Sequence, residues 1–264
     1  TDIFDKTGAL NERASGDIEF EISSFTYPDE KEPVLEDLSF TIKKGETLGI
    51  VGKTGAGKTT LLKLLIREFE TTEGCISIGG HEIENYTLKS LREAIGYVPQ
   101  DPFLFSATVG ENIAFAKPNA TQEEIKEAAI LSYIHSDIEG FTDGYHTIVG
   151  ERGVSLSGGQ KQRISIARAL MLDPEILILD DSLSAVDAKT EATILQNLKE
   201  NRVHKTTIIT SHRLSAIQHA NLIIVLKDGK IVQRGTHREL MDLEGWYKEM
   251  YQQQQLEELV EQGG

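Results

Sequence analysis

Gly52-Lys53-Thr54-Gly55-Ala56-Gly57-Lys58-Thr59-Thr60 fits the pattern G-x-x-x-x-G-K-[ST], and it stands between an apolar run, Leu48 to Val51, and a helix-patterned stretch, Leu61 to Phe69. A strand before it and a helix after it make this run a phosphate-binding loop rather than a flexible glycine turn. Glycines let successive backbone N–H groups turn inward around phosphate oxygens where a Cβ would obstruct them, and the helix that follows aims the positive end of its dipole at the same place. Lys58 is then expected to reach the β- and γ-phosphates of a nucleotide, and the Thr59 hydroxyl to hold Mg²⁺. Leu61, Leu62, Leu65, Ile66 and Phe69 recur at i, i+1, i+4, i+5 and i+8, which is one face of a helix leaving the loop.

A chain of 264 residues can bury a substantial core. Its 42 acidic against 27 basic residues give a net charge of −15, which argues against a nucleic-acid partner because a polyphosphate would be repelled over most of the surface. Cys75 is the only cysteine, so no intramolecular disulfide can form; within the strand-like Cys75-Ile76-Ser77-Ile78 it reads as a small buried apolar side chain. The longest apolar run, Leu222 to Leu226, is far short of the roughly 20 residues a membrane span needs, so the chain itself is expected to be soluble. It opens on Thr1 without a signal-peptide pattern, and the expectation is a segment cut from a longer polypeptide.

Residues 1–16 are polar and aperiodic, as in a linker entering a domain. Alternation begins at Ile18-Glu19-Phe20-Glu21-Ile22, and strand-like runs recur at Leu38 to Ile42, Leu48 to Val51 and Cys75 to Ile78. From about residue 101 to 172 the pattern turns helical: Thr121 and Glu124 form a capping box opening a helix through Leu131, and a second helix follows Gly159 and ends before Pro174. Strands return at Ile176 to Leu179, Thr206 to Thr210 and Leu222 to Leu226, separated by helical stretches at about Ala188 to Asn201 and Arg213 to His219. Strands alternating with helices imply right-handed crossovers and a parallel sheet, and Asp228-Gly229 closes a hairpin. The fold is therefore expected to be α/β, with a nucleotide-binding core on a parallel sheet, an N-terminal antiparallel β subdomain and an inserted helical subdomain. The tail, residues 251–264, is expected to be an exposed, frayed helix without a function of its own.

The apolar strand Ile176 to Leu179 delivers Asp180-Asp181 to its C-terminal tip, where ligands sit in open α/β sheets, so Asp180 is placed to hold Mg²⁺ through water. Leu156-Ser157-Gly158-Gly159-Gln160-Lys161-Gln162-Arg163 resembles the signature of ATP-binding cassette (ABC) proteins and lies between the phosphate loop and that strand, as the family requires. The resemblance, over about residues 18 to 245, implies a P-loop NTPase core. Ser157, Gly158, Gly159 and Gln160 offer a hydroxyl and backbone N–H groups at a helix N-terminus, an anion site. In this family such residues meet the γ-phosphate of ATP bound to an opposite subunit. Tyr27 resembles the aromatic that stacks on adenine. Gln100, in Tyr97-Val98-Pro99-Gln100, matches the glutamine that reaches Mg²⁺ and the attacking water. Ser184-Ala185-Val186-Asp187 resembles the D-loop, and His212 matches the switch histidine that contacts the γ-phosphate.

Residues 100–109 and 149–153 look like the exporter version of the cassette, in which these loops receive the coupling helices of a transmembrane domain at the cytoplasmic face of the membrane. The cassette itself is expected over residues 17–250, with its helical subdomain at about 101–172. The chain departs from the family at Asp181, where the general base is normally glutamate. Aspartate is one methylene shorter, roughly 1.5 Å of reach, and a base must come within about 2.6–3.2 Å of its proton. The same substitution marks the degenerate half of heterodimeric exporters, so hydrolysis at this chain's own site is expected to be poor while its intact signature completes the site of a second nucleotide-binding domain. A regulatory module that holds ATP without turnover is the alternative. A DNA-repair or structural-maintenance ATPase is disfavoured, since those interrupt the cassette with coiled-coil heptads and this chain has none.

Overall fold

A computed structural model describes residues 2–263 and divides them into two compact units: the chain up to Ala94 together with the chain from Thr206 onward, and Ile95–Lys205. In the first unit, β1 (Ile18–Phe25), β2 (Leu35–Ile42), β4 (Glu73–Ile78) and β5 (His81–Glu82) form an antiparallel sheet in the order β2-β1-β4-β5. The alternation in β1 places Ile18, Phe20 and Ile22 in the core, with Phe20 opposite Phe40 and the two rings stacked 4.4 Å apart. The same period of two corrects the expectation for Cys75. Ile76 and Ile78 take the inward positions of β4, which leaves Cys75 half-buried on the other face.

The second sheet of this unit sets the loop. Strand β3 (Thr47–Val51) lies between β8 (Thr206–Thr210) and β9 (Leu222–Lys227), parallel to both, with Leu48 opposite Ile208 on one side and Leu222 on the other. All three are buried along most of their length, as strands covered on both faces must be, and β8 brings Thr206, Thr207 and Thr210 into that buried position. Strand β10 (Lys230–Gly235) returns antiparallel to β9 through Asp228 (φ 49°) and Gly229 (φ 77°), the left-handed pair that an Asp-Gly hairpin turn requires.

Helix α1 (Lys58–Leu65) leaves the loop after β3 and is shorter than its apolar spacing foretells: Ile66 caps it and Arg67 takes φ 52°. Leu64 is buried along with Leu61, Leu62 and Leu65, so the helix is enclosed on more than one side. Arg67, 1% exposed, donates to the Tyr86 carbonyl at 3.3 Å and to Glu70 at 3.1 Å. The N-terminal segment is pinned: Leu10 exchanges backbone hydrogen bonds with Asn85 and Thr87, and Asp5 accepts from the Leu88 N–H that opens α2 (Leu88–Ala94). The stretch Arg213 to His219 is not a helix but a single 3-10 turn, Leu214–Ala216. Helices α8 (His237–Met241) and α9 (Trp246–Gln262) close the unit.

In the second unit, β6 (Ile95–Val98) runs parallel to β7 (Ile176–Asp180) with Tyr97 opposite Ile178. Around them stand α3 (Val109–Ile113), α4 (Gln122–Leu131), α5 (His135–Glu139), α6 (Gly158–Leu170) and α7 (Ala188–Asn201). Thr121 and Glu124 make the expected capping box on α4, and α6 stops short of Pro174. Val109, Ile113, Ile134, Ile138 and Ile164 form a core shared by α3, α5, α6 and the turn before α5. The chain is thus an α/β protein with a parallel-containing sheet, an antiparallel β subdomain and a helical middle, as the sequence leads one to expect.

The hairpin turn is fastened to the phosphate-type loop: Gly229 donates to the Ala56 carbonyl at 3.0 Å and accepts from the Glu36 N–H at 2.9 Å. A Cβ on Gly229 would collide with the Val34 carbonyl oxygen, in a left-handed backbone that disfavours side chains anyway. Gly229→Ala is expected to destabilise the chain by about 1–3 kcal/mol, read as a lowered midpoint in urea unfolding.

Candidate functional site

Residues 52–57 form a loop that only glycine permits at three points: Gly52 (φ 156°), Gly55 (φ 85°) and Gly57 (φ 108°). A Cβ on Gly52 would strike the Leu226 carbonyl oxygen, and one on Gly57 would lie 2.6 Å from Leu35 Cδ2. Lys53, Thr54, Gly55 and Thr59 are exposed, while Ala56, Gly57 and Thr60 are buried. The Lys58 ammonium lies over the loop, donating to the carbonyls of Gly52 at 2.5 Å and Lys53 at 3.1 Å. Helix α1 begins with no side-chain cap and no acidic residue in its first turn. By contrast α3, α4, α6, α7 and α8 all have Ncap side chains that accept an N–H. The first turn of α1 therefore presents N–H groups and a positive dipole end, joined by one ammonium, which is an anion-binding arrangement.

Tyr27 sits beside this loop: its hydroxyl is 2.7 Å from Thr60 Oγ1, and its ring meets Phe25 and Phe69 edge-on. His212 is exposed on the turn after β8. Its carbonyl oxygen accepts from Gln254 Nε2 at 2.7 Å, and the Gln254 Oε1 accepts the Leu214 N–H at 2.9 Å. Gln254 belongs to the tail stretch that has no sequence motif, so nothing local could have flagged it.

In the other unit, Asp180 ends the buried strand β7 half-exposed, and one carboxylate oxygen accepts from the Tyr97 hydroxyl at 2.5 Å. Asp181 follows at φ 50°, a left-handed conformation that aspartate tolerates far better than glutamate. Gln100 is exposed at its side chain and held through its carbonyl by Gln162 Nε2 at 3.0 Å. Ser157 caps α6: its oxygen accepts from the Gln160 N–H at 3.1 Å and Gln160 Oε1 accepts from the Ser157 N–H at 2.9 Å, leaving the serine O–H to donate outward. Gln160 Nε2 in turn donates to Asp137, which also pairs with Arg163 at 2.9 Å. Gly158 and Gly159 have a packing reason to be glycine: a Cβ on Gly159 would lie 2.8 Å from the Ala185 carbonyl oxygen and one on Gly158 3.1 Å from Ala185 Cβ. The Thr190 N–H and then its hydroxyl, both donating to Asp187, hold that carboxyl below the usual aspartate range.

Three polar residues organise this unit, and sequence reading gave none of them a role. Gln162, 3% exposed, donates to the Gln100 carbonyl and Ser184 Oγ, and accepts from the Ala185 N–H at 2.9 Å, so one buried amide joins the glutamine loop, the signature helix and the segment of residues 184–187. Asn112, fully buried, bonds both backbone groups of Phe105 and the Thr108 carbonyl. Arg168 donates to the carbonyls of Phe103 and Asn112, and burial lowers its pKa. Phe103 and Phe115, 66% and 56% exposed, both meet Phe105, Phe103 edge-on at 5.0 Å and Phe115 stacked at 4.3 Å. Residues 105–109 and 147–154 are brought together: Val109 donates to Thr147 and Val149 to Ala107, both at 2.9 Å, with Ile148 and Val154 exposed beside them.

The family model of the ABC transporter matches residues 35–184. The chain is 54% identical over its whole length to the probable multidrug resistance ABC transporter ATP-binding/permease protein YheI of Bacillus subtilis (strain 168), of which it covers 45%. Over 92% of its length it is 52% identical to the multidrug resistance-like ATP-binding protein MdlA of Escherichia coli (strain K12), covering 41% of that protein. A solved bacterial Atm1-family ABC exporter with ATP bound superposes with a TM-score of 0.90 at 40% identity, over 96% of this chain and 44% of that one. The chain thus spans less than half the length of these relatives. Gln162→Leu, which keeps the volume but leaves the Ala185 N–H and Gln100 carbonyl without their partner, is expected to cost about 1–3 kcal/mol in denaturant unfolding and to speed hydrogen exchange at the Ala185 amide.

Proposed function

The chain belongs to the ABC transporter family, and from that premise we propose that it is the ATP-binding and hydrolysing motor of a multidrug-type exporter. It works with a second nucleotide-binding domain, dimerising around ATP at the cytoplasmic face of the membrane. The observation that carries this reading is the uncapped start of α1 behind a loop that needs glycine, with Lys58 lying over it. In this reading residues 52–60 bind the phosphates, Lys58 neutralises the β- and γ-phosphates, and Tyr27, its hydroxyl anchored on Thr60, packs against adenine. Thr59, Asp180 and Gln100 hold Mg²⁺, which offsets phosphate charge. Their donors are hard oxygens, and no cluster of three or more His, Cys, Asp or Glu among the described residues offers a transition-metal site instead, which suits an ion that keeps most of its waters. Ser157, Gly158, Gly159 and Gln160 serve the γ-phosphate of the nucleotide held by the second domain.

Asp181 stands at the position of the general base in this chain's own site, too short to draw a proton well from the attacking water, while His212 contacts the γ-phosphate. Its short side chain on a left-handed backbone supports a site that binds ATP firmly and hydrolyses it slowly, the degenerate half of a heterodimer. The same observation favours, as a second reading, a module that binds ATP without turnover. The exposed Phe103 and Phe115 with Ile148 and Val154 support docking of transmembrane coupling helices on this face, because large apolar side chains at one surface mark an interaction site.

Lys58→Ala is expected to weaken Mg·ATP at least tenfold in a nucleotide titration, since a charged hydrogen bond to phosphate contributes about 1.5–3 kcal/mol; unchanged affinity would remove the loop from the site. Asp181→Glu is expected to raise single-turnover hydrolysis, with the second domain's own base disabled, toward the about 10²–10⁴-fold a placed base supplies. Glutamate fits that left-handed backbone less well than aspartate, so the gain comes with some loss of stability. Asp181→Asn should change hydrolysis little. A steep loss for asparagine with no gain for glutamate would show Asp181 to be a competent base, and no hydrolysis in any variant would favour the non-hydrolytic module.

A further inference from the structure

Tyr247, Tyr251 and Gln254 recur four and three residues apart along α9 and lie on the face it turns toward its own unit. Tyr247 is buried with its hydroxyl 2.7 Å from His237 Nδ1, and the Tyr251 hydroxyl donates to Gln218 at 3.1 Å. About one turn further, Gln254 donates to the His212 carbonyl and accepts from the Leu214 N–H. The two anchors bracket residues 212–218. Within it the 3-10 turn has the backbone bonds Ala216 to Arg213 and Ile217 to Leu214 at 3.2 and 3.1 Å, and the Arg213 N–H donates to Ser211 Oγ at 3.0 Å. A segment with a single 3-10 turn takes part of its shape from what it is packed against.

We propose that Gln254 is a positioning residue for His212, and that α9 is thereby coupled to the occupant of the phosphate loop. The proposal rests on the assignment of His212 to the γ-phosphate made above. The chemistry asks for an amide at 254, because one side chain must donate to a carbonyl and accept from an N–H at once. Glutamate keeps the acceptor but sets a carboxylate against the His212 carbonyl; alanine supplies neither group. The backbone of residues 212–214 is the part of the site that α9 holds, so a shift of α9 along or away from its unit moves the imidazole relative to the phosphates. Tyr251 and Gln218 keep the helix in place when the amide is altered, which separates loss of positioning from loss of the helix.

The ratio of Mg·ATP to Mg·ADP affinity, titrated calorimetrically on the chain, reads the γ-phosphate contact alone. Gln254→Ala is expected to lower ATP affinity about two- to tenfold with ADP affinity unchanged, and to speed hydrogen exchange at the Leu214 amide. Gln254→Glu should lower the ratio as well while retaining the Leu214 bond. In a His212→Ala background either change should add nothing, because both act through one imidazole. Equal losses for ATP and ADP, additive losses in the double variants, or an unchanged ratio in Gln254→Ala beside a lowered one in His212→Ala would overturn the positioning role. An unchanged ratio in His212→Ala itself would overturn the γ-phosphate assignment instead.

Discussion

Helix α1 starts from Gly57, which has no side chain to cap it, and no acidic residue stands in its first turn. Most of the loop architecture follows from that single constraint. A helix start of this kind depends on a backbone that is rigid and close to its supports, and here Gly52 and Gly57 allow approaches to Leu226 and Leu35 that any Cβ would prevent. The Asp228-Gly229 turn then bonds Ala56 from one side, and the Thr60 hydroxyl meets Tyr27 from the other. Lys58 brings a full positive charge to the same place. An anion is the natural partner for such a concentration of donors, and no acidic side chain in the first turn competes for them.

The unit of residues 95–205 is organised by another device, buried and half-buried polar side chains that bond loop backbone. Gln162, Asn112 and Arg168 each bond backbone groups of loops that have no regular structure to hold them. Such networks fix a loop more sharply than apolar packing does, because a displaced carbonyl loses a directional partner and not merely some contact area. The price of that rigidity is sensitivity: each of the three amides or guanidinium groups supports more than one segment. Asn112 and Arg168 hold the ridge of Phe103, Phe105 and Phe115 outward, and Gln162 links Gln100 with Ser184 and Ala185.

Asp181 joins a chemical departure to a conformational one. A side chain short for a general base stands on a backbone whose left-handed φ suits aspartate, so the residue is well matched to its turn and poorly matched to reaching a water. Local stability and catalytic reach pull in different directions at this position, and the chain satisfies the first.

What the sequence determined by itself is what depends on residues within a few positions of one another. The glycine loop between strand and helix, the capping box at Thr121, the Asp-Gly hairpin and the period-two strands are all short-range rules, and each is found in the structure. Helix α7 likewise runs from Ala188 to Asn201 as its pattern reads. The tertiary structure decided the rest. Cys75 is half-buried because Ile76 and Ile78 took the inward positions of β4, and the single 3-10 turn within residues 213–219 is met by Gln254 at the Leu214 N–H and by Tyr251 at the Gln218 side chain, 40 and 33 residues away. The partners of Gln162, at separations of 62 and 22 residues, follow no periodicity at all. A hydrogen bond between side chain and distant backbone depends on where two segments meet, and that meeting is set by the packing of whole elements, which no local pattern encodes.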